Sequence, residues 1–164
     1  MLNYILSYLT LCVFFVLQTT VSHYIDIFGI APNLIFVYAL CYSMYNFPVR
    51  SAVLCVTAGI IADMYTMQYI GLNALLFMYM GLAISIFAST LIRKNIFAVA
   101  VVVLLSSVLY HSVILIINYI IPSYSGFAYP FARFVLPTAL YDAVLSVVVS
   151  VWARSLSRER IKGL

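Results

Sequence analysis

From Ile96 to Ile121 the chain carries no charged residue, and similarly uncharged apolar stretches run from Leu2 to Val21 and from Leu72 to Ile92. Stretches of this length restrict what the chain can become. A helix of about 20 apolar residues spans a hydrocarbon core of ~30 Å, whereas the same residues on a soluble surface would have nothing to cover them. Only 7% of the 164 residues are charged and 66% are hydrophobic, against roughly 25% charged in an ordinary soluble domain. The expectation is an all-α, polytopic membrane protein with no room for a soluble domain on either side.

Six spans are expected: Leu2–Val21, Pro32–Phe47, Ser51–Tyr65, Leu72–Ile92, Ile96–Ile121 and Phe131–Ala153. Residues 1–153 then form one six-helix transmembrane domain, a compact bundle, and 154–164 a basic cytoplasmic tail. The second and third spans are short, which points to tilted, broken or partly re-entrant segments. The first is expected to remain as a helix and not to be cleaved as a signal peptide. It has no basic residue before its apolar run and no small-x-small site after it. Ser22–Ala31, carrying His23, Asp26 and Gly29, and the Tyr-, Gly- and Pro-rich stretches Tyr65–Gly71 and Pro122–Pro130 are the connections on one side.

Charge sets the orientation. With both termini cytoplasmic, Arg50, Arg93, Lys94, Arg154, Arg158, Arg160 and Lys162 all face inward, seven of the eight basic residues, as the positive-inside rule demands. Arg133 is the exception, near the outer end of the last span, where a long side chain can snorkel. The net charge of +4 follows this topology and makes no basic stripe, so no nucleic-acid partner is expected. Cys12, Cys41 and Cys55 lie inside apolar runs without a CxxC pair, and neither a disulfide framework nor a metal site is expected from them. No HExxH, GxSxG or P-loop is present, and His23 and His111 are far apart in chain and depth. Neither catalysis, a cofactor nor a small-molecule substrate is indicated.

Ionisable groups inside a membrane are costly and usually face protein, so each is a functional candidate. Asp63 lies about 20 Å beyond Arg50, His111 about 25 Å beyond Lys94 and Asp142 about 18 Å before Arg154 at the helical rise, all in the middle to outer half of the bilayer. His111 and Asp142 stand on consecutive, antiparallel spans and are expected to pair. That pair reads either as part of a proton relay or polar cavity, or as an interhelical clamp; a relay would need more members along the membrane normal. Gly59 shares a helix face with Asp63, and small residues there, with Ala58 and Ala62, suit a close packing seam. Close packing does not require a carboxylate, and Asn73, just past the next turn, is a candidate donor to Asp63. The abundant tyrosines and phenylalanines are read as interface anchors and packing.

Five short stretches carry a family resemblance: Leu17-Gln18-Thr19-Thr20, Pro32-Asn33-Leu34, Gly59-Ile60-Ile61-Ala62-Asp63, Gly71-Leu72-Asn73-Ala74-Leu75 and Pro137-Thr138-Ala139-Leu140-Tyr141-Asp142. In this order the chain resembles the bacterial rod shape-determining membrane protein MreD family. It departs from it in carrying Asp142 where the family often carries asparagine. The resemblance implies a non-enzymatic component of cell-wall elongation in the bacterial inner membrane. That component binds the bitopic protein MreC and helps couple MreB filaments to peptidoglycan synthases. Gly59, Asp63, Asn73, Pro137 and Asp142 lie in the five stretches, and together with His111, singled out above as an ionisable group inside a span, they are the polar and packing residues to follow. The six-helix layout is also similar to the substrate-binding components of energy-coupling-factor vitamin transporters, the alternative reading. Against it, Leu2–Val21 contains no alanine for the docking seam those proteins carry.

Overall fold

One helix has no exposed side. Leu34–Tyr45 is buried from Ile35 through Tyr45, and the rest of the chain is arranged around it in a computed structural model that describes residues 2–21, 32–66, 71–88, 95–120 and 131–156. The elements are α1 (Leu2–Val21), α2 (Leu34–Tyr45), α3 (Pro48–Thr66), α4 (Leu72–Phe87), α5 (Ile96–Ile120), a π-helical turn (Phe131–Val135) and α6 (Leu136–Leu156). The described residues contain six α-helices and no strand. Being apolar all round is compatible with the central place of α2 and would be equally compatible with a lipid-facing one; the helices packed around it decide. It packs on α1, α3, α4 and α6 and touches α5.

Among the described residues, three helices are long and apolar enough to cross a membrane: Pro48–Thr66, Ile96–Asn118 and Arg133–Arg154. Within α1, α2 and α4 the apolar helical stretches are shorter, at Tyr4–Thr20, Leu34–Tyr45 and Leu72–Phe87. The second element is thus narrower than the expected Pro32–Phe47, because Asn33 caps it with its side-chain oxygen on the Phe36 N–H and Asn46 leaves it in extended conformation. The third begins earlier than Ser51, at Pro48, whose fixed φ and missing N–H suit a first helical turn. The fourth ends at Phe87 and Ala88 is extended; the remainder of the expected Leu72–Ile92 span lies outside the described residues. So do Ser22–Ala31, Pro122–Pro130, Arg93, Lys94 and the tail from residue 157 onward.

The last span is not one uniform helix. Pro137 lacks the N–H that would bond the carbonyl four residues back, and its ring crowds that carbonyl. The five residues Phe131–Val135 take the wider π winding just before it, and the Thr138 hydroxyl donates to the Phe134 carbonyl oxygen at 2.5 Å.

Consecutive helices run in opposite senses, so α1, α3 and α5 finish at the end of the bundle where α2, α4 and α6 begin. At the opposite end the Arg50 guanidinium lies over the Tyr4 ring, 4.6 Å from its centroid, and the Ser85 hydroxyl donates to the Asn46 carbonyl. Between the ends, Gly81 lets Cys55 approach so closely that an added Cβ would lie 2.3 Å from the thiol sulfur. The core there is Phe36, Tyr38, Leu40, Met44, Leu54 and Phe77.

Candidate functional site: a polar belt at one end of the bundle

The N-terminus of a helix presents backbone N–H groups with no partner inside the helix, and α2 and α4 both begin among other helices. Their donors must be met by side chains from elsewhere in the chain. For α4 the acceptor is Asp63, near the end of α3. Its carboxylate accepts from the Gly71, Asn73 and Ala74 N–H groups at 3.0, 3.1 and 3.2 Å. A negative charge at this position also faces the positive end of the helix dipole. Gly71 turns the chain into α4 at φ 91°, a left-handed conformation that glycine adopts without a Cβ penalty.

Gly59 sits one turn before Asp63 and explains how the carboxylate reaches so many donors. A Cβ on Gly59 would lie 2.3 Å from the Ala74 Cα and 2.6 Å from its nitrogen. Only glycine lets α3 press this closely on the first turn of α4. The expected donor from Asn73 to Asp63 is present, but it is the backbone N–H. The Asn73 side chain turns elsewhere, donating toward the Thr66 hydroxyl at 3.4 Å and accepting from the Tyr110 hydroxyl at 2.7 Å.

Tyr110 carries the belt to α5. Its ring stacks on Phe36 with centroids 4.6 Å apart and meets Phe77 edge-on at 5.5 Å. On the same helix, the Ser107 hydroxyl donates to Asp142 Oδ2 at 2.5 Å. The other carboxylate oxygen of Asp142 accepts from the Asn33 N–H at 2.9 Å, so α6 holds the start of α2 much as α3 holds the start of α4. The next donor along, the Leu34 N–H, is met by Gln18 of α1 at 2.7 Å, while the Gln18 amide nitrogen donates to the Pro32 carbonyl at 3.1 Å. Through these bonds the belt touches all six helices.

His111 does stand beside Asp142, with Nε2 3.5 Å from Oδ2. That nitrogen is buried and makes no hydrogen bond among the described residues. The partners that satisfy Asp142 are instead the Ser107 hydroxyl and the backbone N–H of Asn33 at the start of α2. The aromatic residues Phe36, Phe77 and Tyr110 wall this region as packing. Sequence reasoning missed the roles of Gln18, Asn33, Ser107 and Tyr110. The first two were visible in the short stretches that carry the family resemblance, and the other two had no signal beyond being polar in an apolar helix. Pro137 stands apart from the belt, at the π-to-α junction that sets α6 on its course. Among the described residues no group of three or more His, Cys, Asp or Glu side chains is placed to hold a metal ion.

Apolar helices wide open on their outer faces, closed around an inner belt of capped helix starts, define an all-helical integral membrane protein. Residues 1–160 match the family model of the rod shape-determining protein MreD, and the chain belongs to that family. It is therefore a rod shape-determining membrane protein, a structural component of cell shape outside the known enzyme families. No curated protein and no solved structure matches the chain.

Proposed function

We propose that this protein is a six-span component of the bacterial inner membrane, with both termini cytoplasmic. In this reading residues 1–153 form the membrane domain and 154–164 the basic tail. It binds the bitopic protein MreC and helps couple MreB filaments to peptidoglycan synthases, with no chemistry of its own. The family match over residues 1–160 is the observation that carries this reading. The use made of the buried polar groups supports it. Asp63 and Asp142 occupy the anion-favouring helix starts that a transporter of anionic substrates would leave for its cargo, and both are engaged by the chain itself. Gly59, Asp63, Asn73, Pro137, Asp142 and His111 then act as the joints of a rigid scaffold. The family match lends nothing to the vitamin-transporter alternative.

The test is co-purification. Tagged protein extracted in mild detergent from cells that also make MreC is expected to bring MreC with it, in proportion to its own yield. Recovery of ATPase and coupling subunits, or of a bound vitamin, without MreC would overturn the reading.

A further inference from the structure

The two carboxylates of the belt are unequally supplied with donors. Asp63 accepts from three backbone N–H groups, whereas Asp142, which is fully buried, accepts from one, at Asn33, and from the Ser107 hydroxyl. The start of α2 offers Asp142 about half a positive charge, and a buried charge is costly unless it is fully paired. His111 is placed to supply the remainder. Its Nε2 lies 3.5 Å from Asp142 Oδ2, is buried and makes no hydrogen bond among the described residues, while the side chain as a whole is 21% exposed. Oδ2 has a second lone pair beside the one that Ser107 takes. The ring therefore reaches from the bundle surface to an acceptor still short of a donor. The groups around it on other elements are neutral or engaged elsewhere. Tyr110, on the same helix, meets the His111 ring edge-on at 4.9 Å and gives its hydroxyl to Asn73 of α4. On α6 Tyr141 is the neighbour of Asp142, and on the π-helical turn Arg133 is exposed and nine residues before it, about 13 Å away at the helical rise. The central helix α2 carries no charged side chain. Its Tyr38 and Cys41 donate to the carbonyls of Ser7 on α1 and Ser146 on α6, and Tyr42 and Tyr45 lie toward its other end.

We propose that His111 and Asp142 form a proton-operated latch between α5 and α6, open when the imidazole is neutral and closed when both of its nitrogens carry a proton. A neutral ring has a single N–H and no charge to draw it onto the carboxylate. The separation of 3.5 Å without a hydrogen bond is that open arrangement. Protonation makes Nε2 a charged donor, and approach to about 2.7–2.9 Å then gives a charge-assisted hydrogen bond. Because the same carboxylate accepts from the Asn33 N–H, closing the latch also fixes the start of the central helix. Histidine is the side chain whose charge ordinarily changes between about pH 5 and 8. The added stability is therefore present at the acid end of that range and is lost as the pH rises through the titration of the ring.

The experiment unfolds the full-length protein in mixed micelles by increasing SDS fraction, at about pH 8 and about pH 5.5, the two ends of the histidine range. A double-mutant cycle of His111→Gln and Asp142→Asn separates the pair from every other titrating group in the chain. The coupling between the two substitutions should be within about twofold in the unfolding constant at the higher pH. At the lower pH it should reach about tenfold or more, the size of a hydrogen bond between charged groups. Equal coupling at both pH values would overturn the latch. A second measurement does not depend on His111→Gln being able to fold. The chain has two histidines, so His23→Gln leaves one imidazole, whose nitrogen resonances in isotope-labelled protein report its charge. The ring should pass from neutral to doubly protonated across the range, with a midpoint that moves by about one pH unit when Asp142→Asn is added, the equivalent of tenfold coupling. A ring whose charge stays fixed throughout, or a midpoint indifferent to Asp142→Asn, would overturn the latch and leave the proposed scaffold role standing.

Discussion

Replacing Asp63 by alanine tests whether the belt holds the bundle together. The substitution removes the acceptor of three backbone N–H groups at once. Asn73 is buried, so its N–H bears the full penalty of an unsatisfied donor, about 1–3 kcal/mol. Gly71 and Ala74 are half-buried, and each loses what a helix cap supplies, about 1 kcal/mol. The total is about 3–5 kcal/mol, a shift of roughly 10²–10³-fold or more in the unfolding equilibrium. Asp63→Asn keeps one carbonyl oxygen but turns an NH2 group toward the other donors, and should cost about 2 kcal/mol. The assay is unfolding of the purified protein in mixed micelles by increasing SDS fraction, followed by helical circular dichroism. Met64→Ala is the control: Met64 is the adjacent residue and is 71% exposed, so its truncation should change stability by less than about 0.5 kcal/mol. An Asp63→Ala midpoint equal to that of Met64→Ala would refute the reasoning, because three unmet donors at a buried helix start cannot be free of cost.

Further outcomes are expected in the same titration. Gly59→Ala should cost about 1–3 kcal/mol, since its Cβ meets the Ala74 backbone and the helices must separate. Combined with Asp63→Ala it should cost less than the two singles together, because both act on one contact. Asp142→Ala should cost about 3 kcal/mol, whereas His111→Ala should cost about 1 kcal/mol or less, as His111 makes no hydrogen bond to the carboxylate. Asp142→Asn should be nearly neutral, its oxygen accepting from the Asn33 N–H and its NH2 group donating to Ser107. Gln18→Ala should cost about 2 kcal/mol through the two bonds it makes to the entry of α2.

The helices were legible in the sequence because apolar length and turn residues are local properties. The apolar runs expected as the third to sixth spans became α3, α4, α5 and α6, whereas the start of α3 at Pro48 and the change of winding before Pro137 were not read from the sequence. The ends of α2 were harder to read. Its residues are apolar from Leu34 to Tyr45 apart from Ser43, and what stops the helix is Asn33 at one end and the extended Asn46 at the other, both polar residues inside the expected span Pro32–Phe47. That α2 would be the centre of the bundle followed from no local property. An apolar run of twelve residues reads equally as a short span or a core helix, and only the packing of α1, α3, α4 and α6 around it decides.

The belt shows why buried carboxylates were easier to find than to explain. Asp63, His111 and Asp142 are conspicuous as charges in apolar helices, and pairing Asp142 with His111 was the natural step, since side chains are what a sequence displays. The bonding partners of the two carboxylates are mostly backbone N–H groups of residues 33, 71, 73 and 74, which a sequence does not advertise. The five short stretches behind the family resemblance are weak singly, yet Gln18, Pro32, Asn33, Leu34, Asp63, Gly71, Asn73, Ala74 and Asp142 all belong to them and all meet in one layer. Such convergence has a physical basis: a helix that starts inside an apolar bundle requires an acceptor at one defined height on a neighbour. Each start therefore constrains a residue on another helix, α2 through Gln18 and Asp142, α4 through Asp63. Satisfying those starts from within leaves the belt's carboxylates committed to the scaffold, and moves the question of partners outward, to the outer faces of the helices.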